Sequence, residues 1–148
     1  MNSPTPTPTV TVPELRPGAV TRTTLALFAG ASGDHNPIHV DIDSARASGM
    51  DDVFAHGMLS MAYLGRLLTD WIPQSRIREL TARFTAITPV HAEPVLTATM
   101  SEVVTDGAEQ RAVLDLGVVL ADGTRTLTGT AVVAWSGSDR SGDAKLVP

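Results

Sequence analysis

The chain has 148 residues, 43% apolar and 18% charged, with 12 glycines and 10 prolines, a composition that suits one globular domain with a real core rather than a disordered chain. Sixteen acidic residues against 11 basic ones leave a formal charge of −5, and Lys and Arg form no stripe, so neither nucleic acid nor an anionic membrane is an expected partner. The lack of cysteine excludes disulfides, thiolate nucleophiles and thiolate metal sites together, while no apolar run approaches the ~18 residues of a membrane span and "MNSPTPTPTV" is no secretory leader, so a soluble, cytoplasmic protein is expected.

Residues 1–9 alternate Thr and Pro and are expected to be extended or disordered, and residues 136–148, "SGSDRSGDAKLVP", read as a flexible tail. That leaves one domain over residues 10–135. The spacing predicts a first helix over Thr23–Ala31, capped by Thr21 or Thr23, with Leu25, Leu27 and Phe28 on its apolar side and Gly33 ending it. A short helix over Ser44–Ser48 follows, with Asp41 and Asp43 ahead of it and Gly49 behind. The longest helix is predicted over Gly57–Trp71, "GMLSMAYLGRLLTDW", closed by Pro73. Its apolar residues wrap most of its circumference, which implies burial on more than one side.

After this helix the apolar period changes to 2. Leu80, Ala82, Phe84 and Ala86 share one face, as do Leu96, Ala98 and Met100, and Leu127, Gly129, Ala131, Val133 and Trp135. Asp106-Gly107 and Asp122-Gly123 are hairpin signals between such runs. Residues 76–135 are therefore expected to form an antiparallel meander of about four strands, and with one buried helix the class is α+β.

Two stretches carry candidate chemistry. In "FAGASGDHNPIH", Asp34 and His39 are separated by Asn36-Pro37, which forbids a regular helix and demands a turn. A turn brings a carboxylate and an imidazole toward one point, where the carboxylate accepts a proton and the imidazole orients or delivers one, and Asn36 can brace the loop through backbone hydrogen bonds. The competing reading is ordinary turn chemistry closed by His39. A metal site from His35, His39, Asp41 and Asp43 is disfavoured, because the proline spoils the helical His-x-x-x-His face. In "AHGMLS", Gly57 opens the buried helix and offers an N–H at the positive end of its dipole to a developing oxyanion. Alternatively Gly57 only permits close packing and His56 is satisfied by a carbonyl.

Together "FAGASGDHNPIHVDIDSA", "AHGMLSM" and "RFTAITPV" resemble the R-specific enoyl-CoA hydratases, or MaoC-like dehydratases, most closely the single-domain members that include β-hydroxyacyl-ACP dehydratase subunits. The resemblance spans roughly residues 10–135. It implies the hot dog fold, an antiparallel sheet wrapped around a long central helix, and a dimer with the acyl chain near the subunit interface. It further implies reversible hydration of a trans-2-enoyl thioester, on CoA or acyl carrier protein, to a (3R)-hydroxyacyl thioester, with no cofactor. Asp34 and His39 would be the catalytic pair, Gly57 the oxyanion donor, and Ser32, Asn36, His56 and Met58 would support the loop or bind substrate. Two departures stand out: Gly65 occupies a position where some members have a helix serine, and "TPTPTV" replaces an apolar-Gly-Asp lead-in. Two other functions remain open, a hot dog thioesterase, for which the central helix offers only Asp70 as a carboxylate, and one subunit of a heteromeric dehydratase.

Overall fold

A computed structural model describes residues 10 and 12–137. The expected tail at 1–9, and residues 138–148 of the one expected at 136–148, lie outside the described residues. Three helices precede the sheet: α1, Arg22–Ser32; α2, Ile42–Ala47; and α3, Gly57–Trp71. Four antiparallel strands follow: β1, Ile77–Phe84; β2, Val95–Asp106; β3, Glu109–Val119; and β4, Arg125–Ala134. The fold is the α+β hot dog.

Local chemistry explains the helix ends. The Thr21 side chain accepts from Thr24 N, and Gly33 stops α1 in the left-handed region at φ 76°. Leu25 and Ala29 form the buried stripe of α1, one turn apart, whereas Leu27 is 71% exposed. Two residues of helix rotate the chain by about 200°, so Leu25 and Leu27 cannot share a face. Asp41 caps α2 by accepting from Asp43 N. The bounds of α3 are those expected, and α3 has no side-chain cap at its N-terminus.

The strand order is β1-β4-β3-β2. Strands β2, β3 and β4 form the expected meander, but β1 pairs with β4 instead of β2, so residues 85–94 must cross between them. This connection is tied down by backbone bonds: Thr85 N–H to Thr126 O at 3.0 Å, Ala55 N–H to Thr88 O at 2.9 Å, and His91 N–H to Val20 O at 2.7 Å. The alternating faces of β2 and β4 are buried as expected, through Leu96, Ala98, Met100, Leu127, Ala131, Val133 and Trp135. On β1, Ile77, Leu80 and Ala82 pack on the core, but Phe84, expected on the same face as Leu80 and Ala82, is 49% exposed.

Two apolar clusters share α3. Leu64, Leu67 and Leu68 meet the sheet at Leu96, Leu114, Leu116 and Leu127. The N-terminal Leu59 instead joins Val20, Leu25, Ala45, Val53 and Ala55 beneath α1 and α2. Each fully buried leucine stabilises the fold by about 1.5–3 kcal/mol, so α3 is held along most of its length.

Two glycines give opposite expectations. A Cβ at Gly65, mid-helix, would meet nothing within 4 Å, whereas one at Gly129 would lie 2.2 Å from Thr81 O across the β1/β4 pair. Gly65→Ala is therefore expected to stabilise the protein by about 0.5–1 kcal/mol, and Gly129→Ala to destabilise it by about 1–3 kcal/mol, both read from urea unfolding midpoints.

Candidate active site

The turn after α1 is built from side-chain to backbone bonds. Ser32 Oγ donates to Phe28 O at 2.7 Å and accepts from Asp34 N–H at 3.2 Å. Asp34 Oδ1 then accepts from Asn36 N–H at 3.2 Å, and Asn36 Oδ1 from Ile38 N–H at 3.3 Å, capping a 3-10 turn over Pro37–His39. These Asx-type bonds are why Ser, Asp and Asn occupy these positions. The ordinary turn chemistry is thus present, and it carries the titratable groups with it.

His39 ends that turn buried, 8% exposed. Its Nδ1 lies 2.8 Å from Phe54 O, and a carbonyl oxygen only accepts, so Nδ1 carries the proton and Nε2 presents a lone pair. His56 is 1% exposed. Its Nε2–H donates to Asp34 O at 3.1 Å, which leaves Nδ1 unprotonated and, among the described residues, without a partner. The two rings stack with centroids 4.0 Å apart, and Phe28 meets His56 edge-on at 5.1 Å.

One atom each from Asp34, His39 and His56 lies within 4.8 Å of the others. Asp34 itself stays exposed. As metal ligands the three would be poorly provided, since His39 Nδ1 and His56 Nε2 serve carbonyls and His56 Nδ1 is sealed from solvent. The set His35, His39, Asp41 and Asp43 is not gathered. A spacing up to 4.8 Å is what one water spans with two hydrogen bonds of about 2.8 Å.

His39 and Gly57 both line a cavity of about 290 Å³, with Phe54, Ser60, Phe84 and Thr126 among the other wall residues. The Gly57 N–H belongs to the first turn of α3, whose N–H groups have no helical carbonyl four residues back. A side chain here would press on the Phe84 ring, 3.2 Å from a Cβ at Gly57. Close packing and an available N–H therefore coexist at this glycine, just as the carbonyl bond of His56 coexists with its place beside His39. Met58 points outward, 53% exposed, and is not among the wall residues. Asp70 lies near the far end of α3, 3.5 Å from Arg66.

Sequence reading did not identify Phe54, Ser60, Phe84, Thr88 or Thr126 as wall residues. Ser60 was findable, as a hydroxyl one turn beyond Gly57 among the apolar residues that open α3. Thr88 and Thr126 were not, because Thr88 reaches the cavity on the crossing of residues 85–94 and Thr126 from β4, where Thr85 N–H bonds its carbonyl.

The sequence profile described as MaoC like domain matches residues 5–122. The chain belongs to the MaoC-like dehydratase family. A UPF0336 protein of Clavibacter michiganensis is 28% identical over 137 residues, 86% of this chain and 92% of the relative. An (R)-specific enoyl-CoA hydratase of Rhodospirillum rubrum is 30% identical over 82 residues, 55% of this chain and 57% of that protein. Among solved structures, the ChsH1-ChsH2 complex of Mycobacterium tuberculosis has a chain with TM-score 0.74 and 22% identity, the match covering 86% of this chain and 97% of the other. Among the described residues, no helix is long and apolar enough to cross a membrane.

Burial, and then the neighbouring His39, lower the pKa of His56 from its ordinary value of 6.5. Above that value His56 is neutral whether folded or unfolded and costs nothing. Below it the unfolded chain gains a proton that the native site resists, so stability falls until the lowered native pKa is passed. The melting temperature is expected to drop as pH falls from 7 to 5, and to drop less in His56→Gln, as differential scanning fluorimetry across that range would show.

Proposed function

We propose that this MaoC-like protein catalyses the reversible hydration of a trans-2-enoyl thioester to a (3R)-hydroxyacyl thioester. The observation that carries the reading is that His39 links three groups: its imidazole lies at one-water separation from the Asp34 carboxylate, and it lines the same cavity as Gly57, whose N–H opens α3. The R. rubrum relative, named as an (R)-specific enoyl-CoA hydratase, supports the choice of reaction and its stereochemistry.

One water sits between Asp34 and His39. It donates one O–H to the Asp34 carboxylate oxygen not committed to Asn36, and the other to the His39 Nε2 lone pair, which turns its oxygen toward C3. As the C3–O bond forms, the C2–C3 π electrons move toward the thioester carbonyl, and the Gly57 N–H stabilises the oxyanion. Asp34 takes the water's proton, and with His39 guiding its passage that proton goes to C2, forming the C2–H bond and restoring the carboxylate. Dehydration is the same path reversed. Positioned acid–base catalysis contributes ~10²–10⁴-fold, and one oxyanion donor ~10²–10³-fold.

The carrier is CoA or acyl carrier protein, and fatty-acid, polyketide and sterol side-chain substrates all suit the largely apolar wall. No cofactor enters this scheme. The functional unit is a homodimer in the cytoplasm. Phe84 and Ile87 in the cavity wall are 49% and 43% exposed, the kind of apolar rim that a second subunit covers. A heteromer with a related chain draws support from the likeness to a subunit of a two-protein complex.

Asp34→Asn and His39→Ala are each expected to remain folded by circular dichroism and to lose ~10²–10⁴-fold in turnover of trans-2-butenoyl-CoA, followed by loss of the enoyl thioester absorbance. Turnover near that of the wild type in either variant would sink the reaction, and free thiol appearing in step with the loss of absorbance would turn the assignment to a thioesterase.

A further inference from the structure

His56 takes no part in the chemistry just described, yet it touches every component of the site. Its ring lies against that of His39, 4.0 Å between centroids and 32° between planes. Its Nε2–H holds the Asp34 carbonyl at 3.1 Å, and its own peptide continues directly into the Gly57 N–H. The Phe28 edge closes its remaining side. At 1% exposure, with Nδ1 sealed, it has no surface to offer a substrate.

The bonds that shape the turn, from Ser32, Asp34 and Asn36, all lie within residues 28–38. They give the turn its form but do not fasten it to α3. Among the described residues, two hydrogen bonds join this loop to the segment entering α3: His39 Nδ1–H to Phe54 O, and His56 Nε2–H to Asp34 O. The first holds the imidazole of the proposed catalytic pair, and the second holds the backbone that bears its carboxylate.

We propose that His56 is the positioning residue of this site, a neutral imidazole protonated on Nε2 that fixes the Asp34 loop, the His39 ring and the Gly57 N–H at one set of mutual distances. The neutral state fits its surroundings. The titratable groups that face it are His39 and Asp34, and Phe28 is uncharged. Burial comes first and His39 second among the causes that disfavour its protonation. A second imidazolium stacked 4.0 Å from His39 would also oppose any positive charge that His39 acquires.

The kinetic part of the test rests on the hydratase reading; the spectroscopic part does not. Displacing a catalytic group by about 1 Å costs on the order of 10²-fold in rate. His56→Ala is therefore expected to lower kcat about 100-fold with KM within about threefold. His56→Gln, whose amide nitrogen can reach where Nε2 lay, should regain about tenfold of this loss, whereas His56→Phe, with a ring and no donor, should stay near the alanine variant. A kcat for His56→Ala close to that of the wild type, or a phenylalanine variant equal to the glutamine one, would overturn the proposal. If the alanine variant fails to fold, the comparison of Gln with Phe decides. In the wild type, long-range ¹H–¹⁵N imidazole spectra at neutral pH should show His56 as the Nε2–H tautomer. An Nδ1–H tautomer or an imidazolium would overturn the assignment whatever the activity, whereas an inactive wild type with the Nε2–H tautomer would overturn only the proposed reaction.

Discussion

Everything at the site depends on two imidazoles buried against each other, 32° between their planes. A buried ring N–H left without an acceptor costs about 1–3 kcal/mol, so His39 and His56 must each find a carbonyl, and each finds it on the other's segment. His39, from the loop, donates to Phe54 just ahead of α3; His56, from the end of that lead-in, donates back to Asp34 in the loop. The result is a reciprocal stitch between two chain segments that share no secondary structure. It also selects the tautomers, because a nitrogen facing a carbonyl must carry the proton. The lone pair of His39 is thereby left on Nε2, and that of His56 is shut inside the protein.

The hydrophobic architecture puts this stitch where it can serve a cavity. Leu59 belongs to the cluster under α1 and α2, while Leu64, Leu67 and Leu68 belong to the cluster on the sheet. The first turn of α3 therefore sits at the junction between two cores. Pairing β1 with β4 then sends residues 85–94 past that junction, where Ala55 and Thr88 join through a backbone bond. A simple meander would have spent this segment on a tight turn between β1 and β2, leaving the cavity without Ala86, Ile87 and Thr88 in its wall.

Much of this was legible in the sequence because it is local. The bounds of α3 follow from a glycine start, a proline stop and an apolar period, and Gly33, Asp41 and the two Asp-Gly hairpins mark their positions by residue type alone. The turn that gathers Asp34 and His39 was equally readable, since Asn36-Pro37 admits few conformations. What escaped was long-range. Leu27 looked apolar and inward, but only the seating of α1 decides which stripe is buried, and that stripe is Leu25 and Ala29. Neither the order of β1 in the sheet nor the arrival of Thr126 at the cavity has a signature in neighbouring residues. Met58 adjoins Gly57 in sequence, yet one residue of helix is a 100° rotation, enough to turn it to solvent.

The treatment of helix starts sharpens the same point. Thr21 caps α1, Asp41 caps α2, and Asn36 caps the 3-10 turn, each through a side-chain oxygen. Of the three α-helices described, only α3, the longest, begins with no side-chain cap, although a missing cap typically forgoes about 1 kcal/mol. The residue in the capping position is His56, whose ring is turned away from the helix to hold Asp34, and a side chain cannot do both. Burial of Leu59, Leu64, Leu67 and Leu68 along α3 far exceeds the loss of one cap, so the helix forms regardless. Leu59 N–H turns back to His56 O at 3.1 Å, so it is the Gly57 N–H that is left to whatever enters the cavity, and in the reaction proposed that is the thioester oxygen as it gains charge.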